Sequence, residues 1–291
     1  MDLSTFIVSV FCLIDDHLKG RRIRRRGPAP KLSDSEVLTI EVVGEFLGLD
    51  TDRALHRYFR RHYGEWFPAL CEVHRTTFLR QAANLWAIKE SLWRHLLDEI
   101  RFDPAISLVD SFPVPVCRFA RAYRCRLFSG EAAFGYGEMA KQKFYGLRAH
   151  LRVCWPGVIC DLSLAPANIH DLHSAEELLE GAKGWALGDR SYRSSKLAER
   201  LEEEGLRLLA PHGSSGKGRT LWLRFLVHKR RRIETVIGQL VGRYDAKKMW
   251  ARDRWHLTSR WLRKVLSHTV AVHLCQQAGL SPLRFSDLLT D

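Results

Sequence analysis

At Asp103-Pro104 the hydrophobic pattern of the chain changes from a helical period to a strand period. Upstream, apolar residues recur every three to four positions, as at Val37, Leu38 and Val42, and this spacing predicts helices. Downstream, short apolar or alternating runs predict strands separated by helices. We therefore expect an all-helical region over residues 1–100, an α/β core over 101–245, and a helical extension over 246–291 that packs on the core.

The core is predicted to contain a mixed five-stranded sheet. Strands are expected over 105–110, 144–154, 158–164, 185–189 and 206–210, and helices over 171–180, 194–204 and 222–243. Trp155-Pro156-Gly157 is a turn sequence, so the second and third strands are expected to form a hairpin.

The first of these strands ends in a carboxylate. Ala105 to Asp110 is followed by Ser111 and then by two prolines. A two-residue period places Leu108 and Asp110 on one face. An ionised aspartate in a core-facing row is costly unless something pairs with it, and a metal ion at a strand end is one such partner. The alternative is that Asp110 only caps the turn into Pro113.

Two further carboxylates extend this pattern. Asp189 ends the fourth predicted strand, and Glu234 lies on the last helix of the core. If the first and fourth strands are neighbours, Asp110 and Asp189 face one spot, and the helix can bring Glu234 to it. Three carboxylates repel one another, and divalent cations such as Mg²⁺ or Mn²⁺ relieve this repulsion. Arg230, four residues before Glu234, either clamps a phosphate, orients Glu234 or forms an ordinary surface pair.

The formal net charge of +13 indicates a polyanionic partner, most commonly nucleic acid, although a generic basic protein is the alternative. Two helices near 33–47 and 52–63, joined by Gly48, are similar to a helix-turn-helix, but many helical hairpins share this pattern. The second helix is basic, with His56 expected among its outward residues. The arginine-rich stretch 20–30 is either a solvated tether or an arm that grips phosphates. The candidate DNA-binding residues are Arg24, Arg25, Arg53, Arg57, Arg60, Arg61, Lys217 and Arg219.

Several other functional classes are disfavoured. The seven cysteines form no C-x-x-C pair, which argues against a disulfide framework or zinc ribbon and favours a reducing cytoplasm. The apolar stretch 6–14 is too short to span a bilayer, so no membrane association is expected. The glycine-rich loop 212–219 lacks the spacing of a phosphate-binding loop. His170 and His173 look like metal ligands, but Asp171 between them is expected to cap a helix.

Short motifs along nearly the whole chain, in order, carry a family resemblance. In the helical region they are 32–38, 43–46, 58–60 and 66–68. In the core they are 109–117, 134–136, 144–146, 164–171, 187–192 and 232–240. This ordered set resembles a DDE transposase of a prokaryotic insertion sequence, closest to the insertion-sequence family numbered nine-eight-two.

The resemblance implies an RNase H-like catalytic core in which Asp110, Asp189 and Glu234 are the catalytic, metal-binding triad, supported by Arg230 and Tyr192. Asp189 follows Asp110 by 79 positions, and Glu234 follows Asp189 by 45. The implied cofactors are two divalent metal ions, Mg²⁺ or Mn²⁺. The implied activity is binding to terminal inverted repeats, cleavage of DNA and joining of the 3′-hydroxyl to target DNA. A dimer or larger synaptic complex in the prokaryotic cytoplasm, at the nucleoid, is expected.

The sequence departs from the related transposases at a Tyr-x2-Arg-x3-Glu-x6-Lys signature. Arg230 and Glu234 fit it, but Val227 occupies the tyrosine position and Val241 the lysine position. Arg243 or Lys247 is the candidate substitute for that lysine. Two alternatives therefore stay open: a DNA-binding protein that has lost catalysis, and a metal-dependent nuclease without strand transfer.

Overall fold

The computed structural model describes residues 1–24, 26–137, 141–211 and 224–290, with the side chains in these ranges except those of residues 224, 225 and 227. The chain divides into two compact units. The helical unit contains residues 1–100 and 240–291, and the sheet unit contains residues 101–239. Within the described ranges, no helix is long and apolar enough to cross a membrane.

Six helices form the first part of the helical unit: α1 (Leu3–Leu18), α2 (Asp34–Phe46), α3 (Asp52–His62), α4 (Pro68–Glu72), α5 (Arg75–Asn84) and α6 (Trp86–Glu99). A capping box starts α2, because the side chains of Ser33 and Glu36 each accept a hydrogen bond from the other's backbone N–H. Between Pro68 and Asn84 the chain forms two helices, α4 and α5. His74 starts the second of them by accepting a hydrogen bond from the backbone N–H of Thr76.

The sheet unit contains six strands in its described part, one more than the five expected. They are β1 (Asp103–Pro115), β2 (Ala133–Gly137), β3 (Gln142–Trp155), β4 (Val158–Pro166), β5 (Gly184–Leu187) and β6 (Leu206–Leu209). The order is β2-β3-β1-β5-β6, with β4 also paired to β3. β3 is antiparallel to β1, β2 and β4, whereas β5 is parallel to β1 and β6. The predicted hairpin of the strands around Trp155 is confirmed as β3 and β4.

The first strand continues past Asp110, through the prolines that were expected to end it. Pro113 lies opposite Arg148 of β3, and Pro115 lies opposite Gly146. On the other side, β5 pairs with β1 only from Ile106 to Leu108. Proline cannot donate a backbone hydrogen bond, so it fits where a strand has a neighbour on one side only. Asp110 therefore lies within a long strand, just beyond the point where its parallel neighbour ends.

Three helices accompany the sheet: α7 (Asp171–Leu178), α8 (Ser195–Glu203) and α9 (Arg224–Gly242). Apolar residues of α7 and α8 share a buried cluster with Val109 of β1. On α9, Lys229 lies 3.1 Å from the ring centroid of Trp155. Val109 lies opposite Arg152 of β3, and Trp155 comes three residues after Arg152, so Trp155 projects to the face opposite that of Val109. α9 thus packs on the other face of the sheet from α7 and α8.

The last helix, α10 (Arg254–Gln277), completes the helical unit. The sequence predicted that the C-terminal region packs on the α/β core, but α10 packs against α2, α5 and α6. The contact includes buried ion pairs. Arg263 binds Glu45 and Asp52, each at 2.6 Å, and Lys264 binds Glu45 at 2.9 Å. Burial alone raises the pKa of Asp52, but Arg263 and Arg260 outweigh burial and hold this pKa below its usual range.

Candidate active site

Two carboxylates lie side by side just beyond the point where the parallel pairing of β1 with β5 ends. Leu108 of β1 is paired with Leu187 of β5, and two residues further along each chain come Asp110 and Asp189. Equal steps from a paired position place both carboxylates on the same face and at the same edge. The expectation that the first strand neighbours the strand before Asp189 is therefore confirmed.

Backbone groups hold one oxygen of each carboxylate. The N–H of Ser111 donates to Oδ1 of Asp110 at 2.8 Å. Asp189 starts a short 3-10 helix (Arg190–Tyr192), and its Oδ1 accepts the N–H of Ser191 at 2.8 Å. Both carboxylates are thus oriented by backbone N–H groups of the residues that follow them, so they are held in place before any ligand binds.

The pKa of Asp110 is raised from 3.8 to about 6. Burial is the largest cause, and the Ser111 N–H opposes it. The charges of Asp189 and Asp171 raise this pKa further, whereas the charge of Arg230 lowers it. Asp110 is therefore a partly buried acid with two anionic neighbours and one cationic neighbour, which is the electrostatic character of a cation-binding position.

Asp171 is a third carboxylate at this place, and the sequence analysis assigned it a different role. It was expected to cap α7, but His170 is the N-cap residue, and Asp171 is the first residue of the helix. Its Oδ1 accepts a hydrogen bond from the Ser111 hydroxyl at 3.0 Å, and its Oδ2 accepts one from the Ser191 hydroxyl at 2.9 Å. The Ser191 hydroxyl also contacts Asp189. A hydroxyl carries one proton, so Ser191 donates to one of these carboxylates at a time.

Three side chains line the site behind the carboxylates. Arg148 donates to the Ser111 hydroxyl at 3.2 Å and lies 3.8 Å from Asp171. Burial lowers the pKa of His150 to about 4, although nearby Asp171 opposes this, so the ring is neutral at pH 7. Burial, and then the three carboxylates, raise the pKa of the buried Tyr192. Tyr192, predicted as a supporting residue, is therefore a neutral part of the floor of the site.

The third predicted ligand, Glu234, is not in contact with the two aspartates. Its side chain is 53% exposed and accepts a hydrogen bond from Arg230 at 3.0 Å. Arg230 in turn lowers the pKa of Asp110, so its charge acts on both acids. In the described ranges, no group of three or more His, Cys, Asp or Glu side chains has the geometry of a metal site. The structure therefore brings Asp110 and Asp189 together and keeps Glu234 at Arg230.

The residues at the remaining signature positions do not join this site. Arg243 donates to the backbone carbonyl of Phe46 at 3.0 Å and its guanidinium lies 4.7 Å from the Phe46 ring, so it is used within the helical unit. Lys247 also belongs to that unit, as does Val241. The side chain at position 227 lies outside the described part of the chain.

The predicted DNA-contact residues fall into three groups. Arg53, Arg57, Arg60 and Arg61 are exposed on α3. Arg24 is paired with the buried Asp34. Arg25, Lys217 and Arg219 lie outside the described residues. His56, expected on the outward side of α3, is instead buried and contacts the carbonyl of Val73 at 3.2 Å. The exposed surface of α3 is therefore a row of arginines.

The chain is similar to known proteins in two comparisons. Residues 103–247 match the family model described as "Transposase DDE domain". Among solved structures, the chain is similar to one titled "Cryo-EM structure of piggyBac transposase synaptic complex with hairpin DNA", with 11% identity and a TM-score of 0.48, covering 98% of this chain and 76% of that chain. A TM-score at this level does not establish a shared fold. No curated protein sequence matches the chain. The family match covers both aspartates and Glu234, so all three lie in a segment that is similar to a transposase DDE domain.

Proposed function

We propose that this chain is a DNA transposase that cleaves the ends of an insertion sequence and joins the freed 3′-hydroxyl to target DNA. The observation that carries the proposal is the pair Asp110 and Asp189, held at the same edge of neighbouring strands in a segment that matches a transposase DDE domain. We also propose that the element belongs to the prokaryotic family numbered nine-eight-two, as the ordered motifs imply, and that the protein acts at the nucleoid.

We infer that the sheet unit has an RNase H-like core. The inference is supported by three antiparallel strands, β4, β3 and β1, followed across the sheet by the parallel strands β5 and β6. Helices on both faces also support it. In this arrangement Asp110 and Asp189 lie side by side just beyond the paired part of the central strand β1 and its parallel neighbour β5.

The donor set fits a hard divalent cation. Asp110 and Asp189 offer carboxylate oxygens, the ligands that Mg²⁺ and Mn²⁺ prefer, and the raised pKa of Asp110 reports unbalanced negative charge. We propose that these two residues hold the cations, with Glu234 as the third ligand. Two cations bound there would activate the attacking oxygen and stabilise the leaving oxygen of an in-line displacement.

The surrounding side chains have distinct tasks in this proposal. Ser111 and Ser191 orient the aspartates, and the second contact of Ser191 keeps Asp171 close to Asp189. Arg230 neutralises part of the charge at Asp110 before DNA binds. Because an exposed ion pair costs only about 0–1 kcal/mol to break, Arg230 can exchange Glu234 for a phosphate of the DNA. This exchange leaves Glu234 available to the site.

The row of arginines on α3 is the proposed contact with the terminal inverted repeats. Exposed arginines contribute to DNA affinity mainly by neutralising phosphates, so this binding is expected to depend strongly on salt. Each transposition event joins two element ends, and a dimer or larger complex on DNA is part of the proposal.

The test uses the full-length chain and a DNA duplex carrying the element's inverted repeat. Asp110→Asn, Asp189→Asn and Glu234→Gln are each expected to remove Mg²⁺-dependent cleavage and strand transfer while DNA binding remains. Glu180→Gln, at an exposed carboxylate just after α7, is the control and is expected to keep full activity. Full activity in any of the three site variants contradicts the proposed triad.

A second candidate is supported by one observation. Glu234 is bound to Arg230 and does not touch the aspartates, as expected for a DNA-binding protein that has lost catalysis. In that case the unsubstituted chain binds the repeat DNA but does not nick it in Mg²⁺ or Mn²⁺. Nicking without joining of a labelled 3′ end would instead indicate a metal-dependent nuclease.

A further inference from the structure

Four exposed aromatic side chains stand together in the sheet unit. They are Phe119, Tyr123, Phe134 and Tyr136, and we call them the aromatic platform. Their exposed fractions range from 40% for Phe119 to 81% for Tyr123. The ring centroid of Tyr123 is 6.3 Å from that of Phe119 and 5.1 Å from that of Phe134. A cluster of exposed rings of this kind marks a binding surface.

The local sequence forces these rings outward. In β2, Gly135 separates Phe134 from Tyr136, and a Cβ atom at Gly135 would lie 2.6 Å from the carbonyl oxygen of Ala167. The strand therefore presses this face against the chain at Ala167 and turns both aromatic rings to the other face. Phe134 rests on the buried ring of Tyr145, with the centroids 5.1 Å apart.

Positive charge surrounds the rings. Residues 117–126 contain four exposed arginines and no acidic residue, and Lys143, opposite Tyr136 in the sheet, is also exposed. In the described ranges no carboxylate pairs with any of these arginines, which are Arg118, Arg121, Arg124 and Arg126. Aromatic faces with interleaved arginines bind single-stranded nucleic acid, because each base stacks on a ring while its phosphate meets a cation. A base inside a duplex is already paired and stacked, so its faces are not available.

The platform and the candidate active site share one face of the sheet. Residues directly opposite each other in a β-ladder project to the same side, and alternate residues do so along a strand. Phe134 is opposite Tyr145 on β3, and Asp110 is opposite Leu151, six residues further along β3. The separation is about 20 Å at roughly 3.3 Å per residue.

A single arginine also connects the two places. Arg148 donates one N–H to the hydroxyl of Ser111, next to Asp110, at 3.2 Å. It donates another N–H to the backbone carbonyl of Tyr136 at 3.0 Å. The backbone of the platform is therefore tied to the carboxylate site through one rigid guanidinium group.

We propose that the aromatic platform binds unpaired nucleotides of a DNA strand that leads to the phosphodiester at Asp110 and Asp189. The binding of single-stranded DNA stands on the platform itself. Its role beside a cleavage site rests on the proposed function. The substrate of the enzyme is then a DNA end with several unpaired nucleotides, and a fully paired duplex would not fill the site.

The test measures binding of the full-length chain to a single-stranded oligonucleotide that contains 2-aminopurine, whose fluorescence falls when the base stacks on a ring. Tyr123→Ala and Phe134→Ala are each expected to weaken single-strand binding about five- to hundred-fold and to restore the fluorescence. Tyr123→Trp is expected to keep both signals. Affinity for a blunt duplex is expected to change less than twofold.

Trp185→Ala is the matched control, because Trp185 is as exposed as Phe134, at 43%, and also lies beside an arginine, Arg207. It is expected to bind single strands like the unsubstituted chain. The proposal is overturned if Tyr123→Ala and Phe134→Ala bind normally, as for a surface that docks another protein, or if all three variants lose affinity equally. Tyr123 is 81% exposed, so its substitution is not expected to disturb folding.

The two proposals fail in different ways. If the chain cuts repeat DNA but the platform variants bind single strands normally, the platform inference fails and the transposase proposal stands. If the platform binds single strands but the chain does not cut DNA, even in Mn²⁺, the platform inference stands and the transposase proposal fails. Where both stand, an element end with unpaired terminal nucleotides is cut faster than a blunt one, and Tyr123→Ala removes the difference.

Discussion

Asp110 is expected to destabilise the cation-free protein at neutral pH, and Asp110→Asn is expected to relieve this cost. The carboxyl group is partly buried, and its pKa of about 6 lies above the usual value of 3.8. The folded protein therefore binds this proton more tightly than the unfolded chain does. The free energy of unfolding consequently falls as the pH rises from the unfolded to the folded pKa, and it stays low above the folded pKa.

The size of the effect follows from the two pKa values. The difference between 3.8 and about 6 corresponds to about 3 kcal/mol in total. About 2 kcal/mol of this falls between roughly pH 4.5 and pH 8, because the unfolded carboxyl group is already mostly ionised at the lower pH. Asparagine does not titrate. The stability of Asp110→Asn relative to the unsubstituted chain should thus rise by about 2 kcal/mol across this range.

Urea unfolding of the full-length chain, followed by tryptophan fluorescence in the presence of a chelator, measures this difference. Asp98→Asn, at an exposed aspartate of α6, is the control and is expected to follow the unsubstituted chain at every pH. Added Mg²⁺ should stabilise the unsubstituted chain by about 2.7 kcal/mol at a hundred times its Kd, and should stabilise Asp110→Asn much less. A pH-independent difference between Asp110→Asn and the unsubstituted chain would refute the electrostatic argument.

The helical unit offers two further predictions. Arg57→Ala should weaken binding of the full-length chain to repeat DNA and reduce the slope of log affinity against log salt by about 1. Arg284 is an exposed arginine near the C-terminus, and Arg284→Ala, the control, should leave this slope unchanged. Anisotropy titrations at several salt concentrations measure this, and equal slopes would exclude Arg57 as a phosphate contact. Arg263→Met should cost about 3–5 kcal/mol in urea unfolding, because it leaves Glu45 buried with one cation fewer. Lys31→Met, which breaks an exposed ion pair, should cost less than about 1 kcal/mol. A similar loss of stability in both variants would show that the buried ion pairs contribute no more to stability than an exposed one.

The pair Asp110 and Asp189 could be predicted from the sequence because the local pattern determines it. Each follows an apolar run, and parallel pairing of the two runs brings both to the same edge. The contacts of Glu234 are harder to predict, because a helical period gives the face on which a residue lies but not the group that it contacts. The ion pair with Arg230 follows from the i,i+4 spacing, and the distance to the aspartates depends on how α9 packs.

Asp171 and the platform could not be predicted in the same way. The role of Asp171 depends on hydroxyl groups from two segments that are distant in the sequence, at Ser111 and Ser191, and no period in the sequence connects them. Phe134 and Tyr136 belong to a five-residue strand interrupted by a glycine, which carries little strand signal. His56 was misplaced because a polar residue was assumed to face outward, although it lies next to Leu55 on the buried side of α3.

Because α2 forms ion pairs with α10, the folding of the first part of the chain depends on the synthesis of its last helix. Glu45 and Arg263 are 218 residues apart in the chain. At about 5–20 residues per second, a ribosome adds Arg263 roughly 10–45 s after Glu45. Until then Glu45 and Asp52 lack the cations of α10 that pair with them in the folded protein. A chain that stops before α10 is therefore expected to leave α2 and α3 without their partner helix, and its first hundred residues are expected to be unfolded.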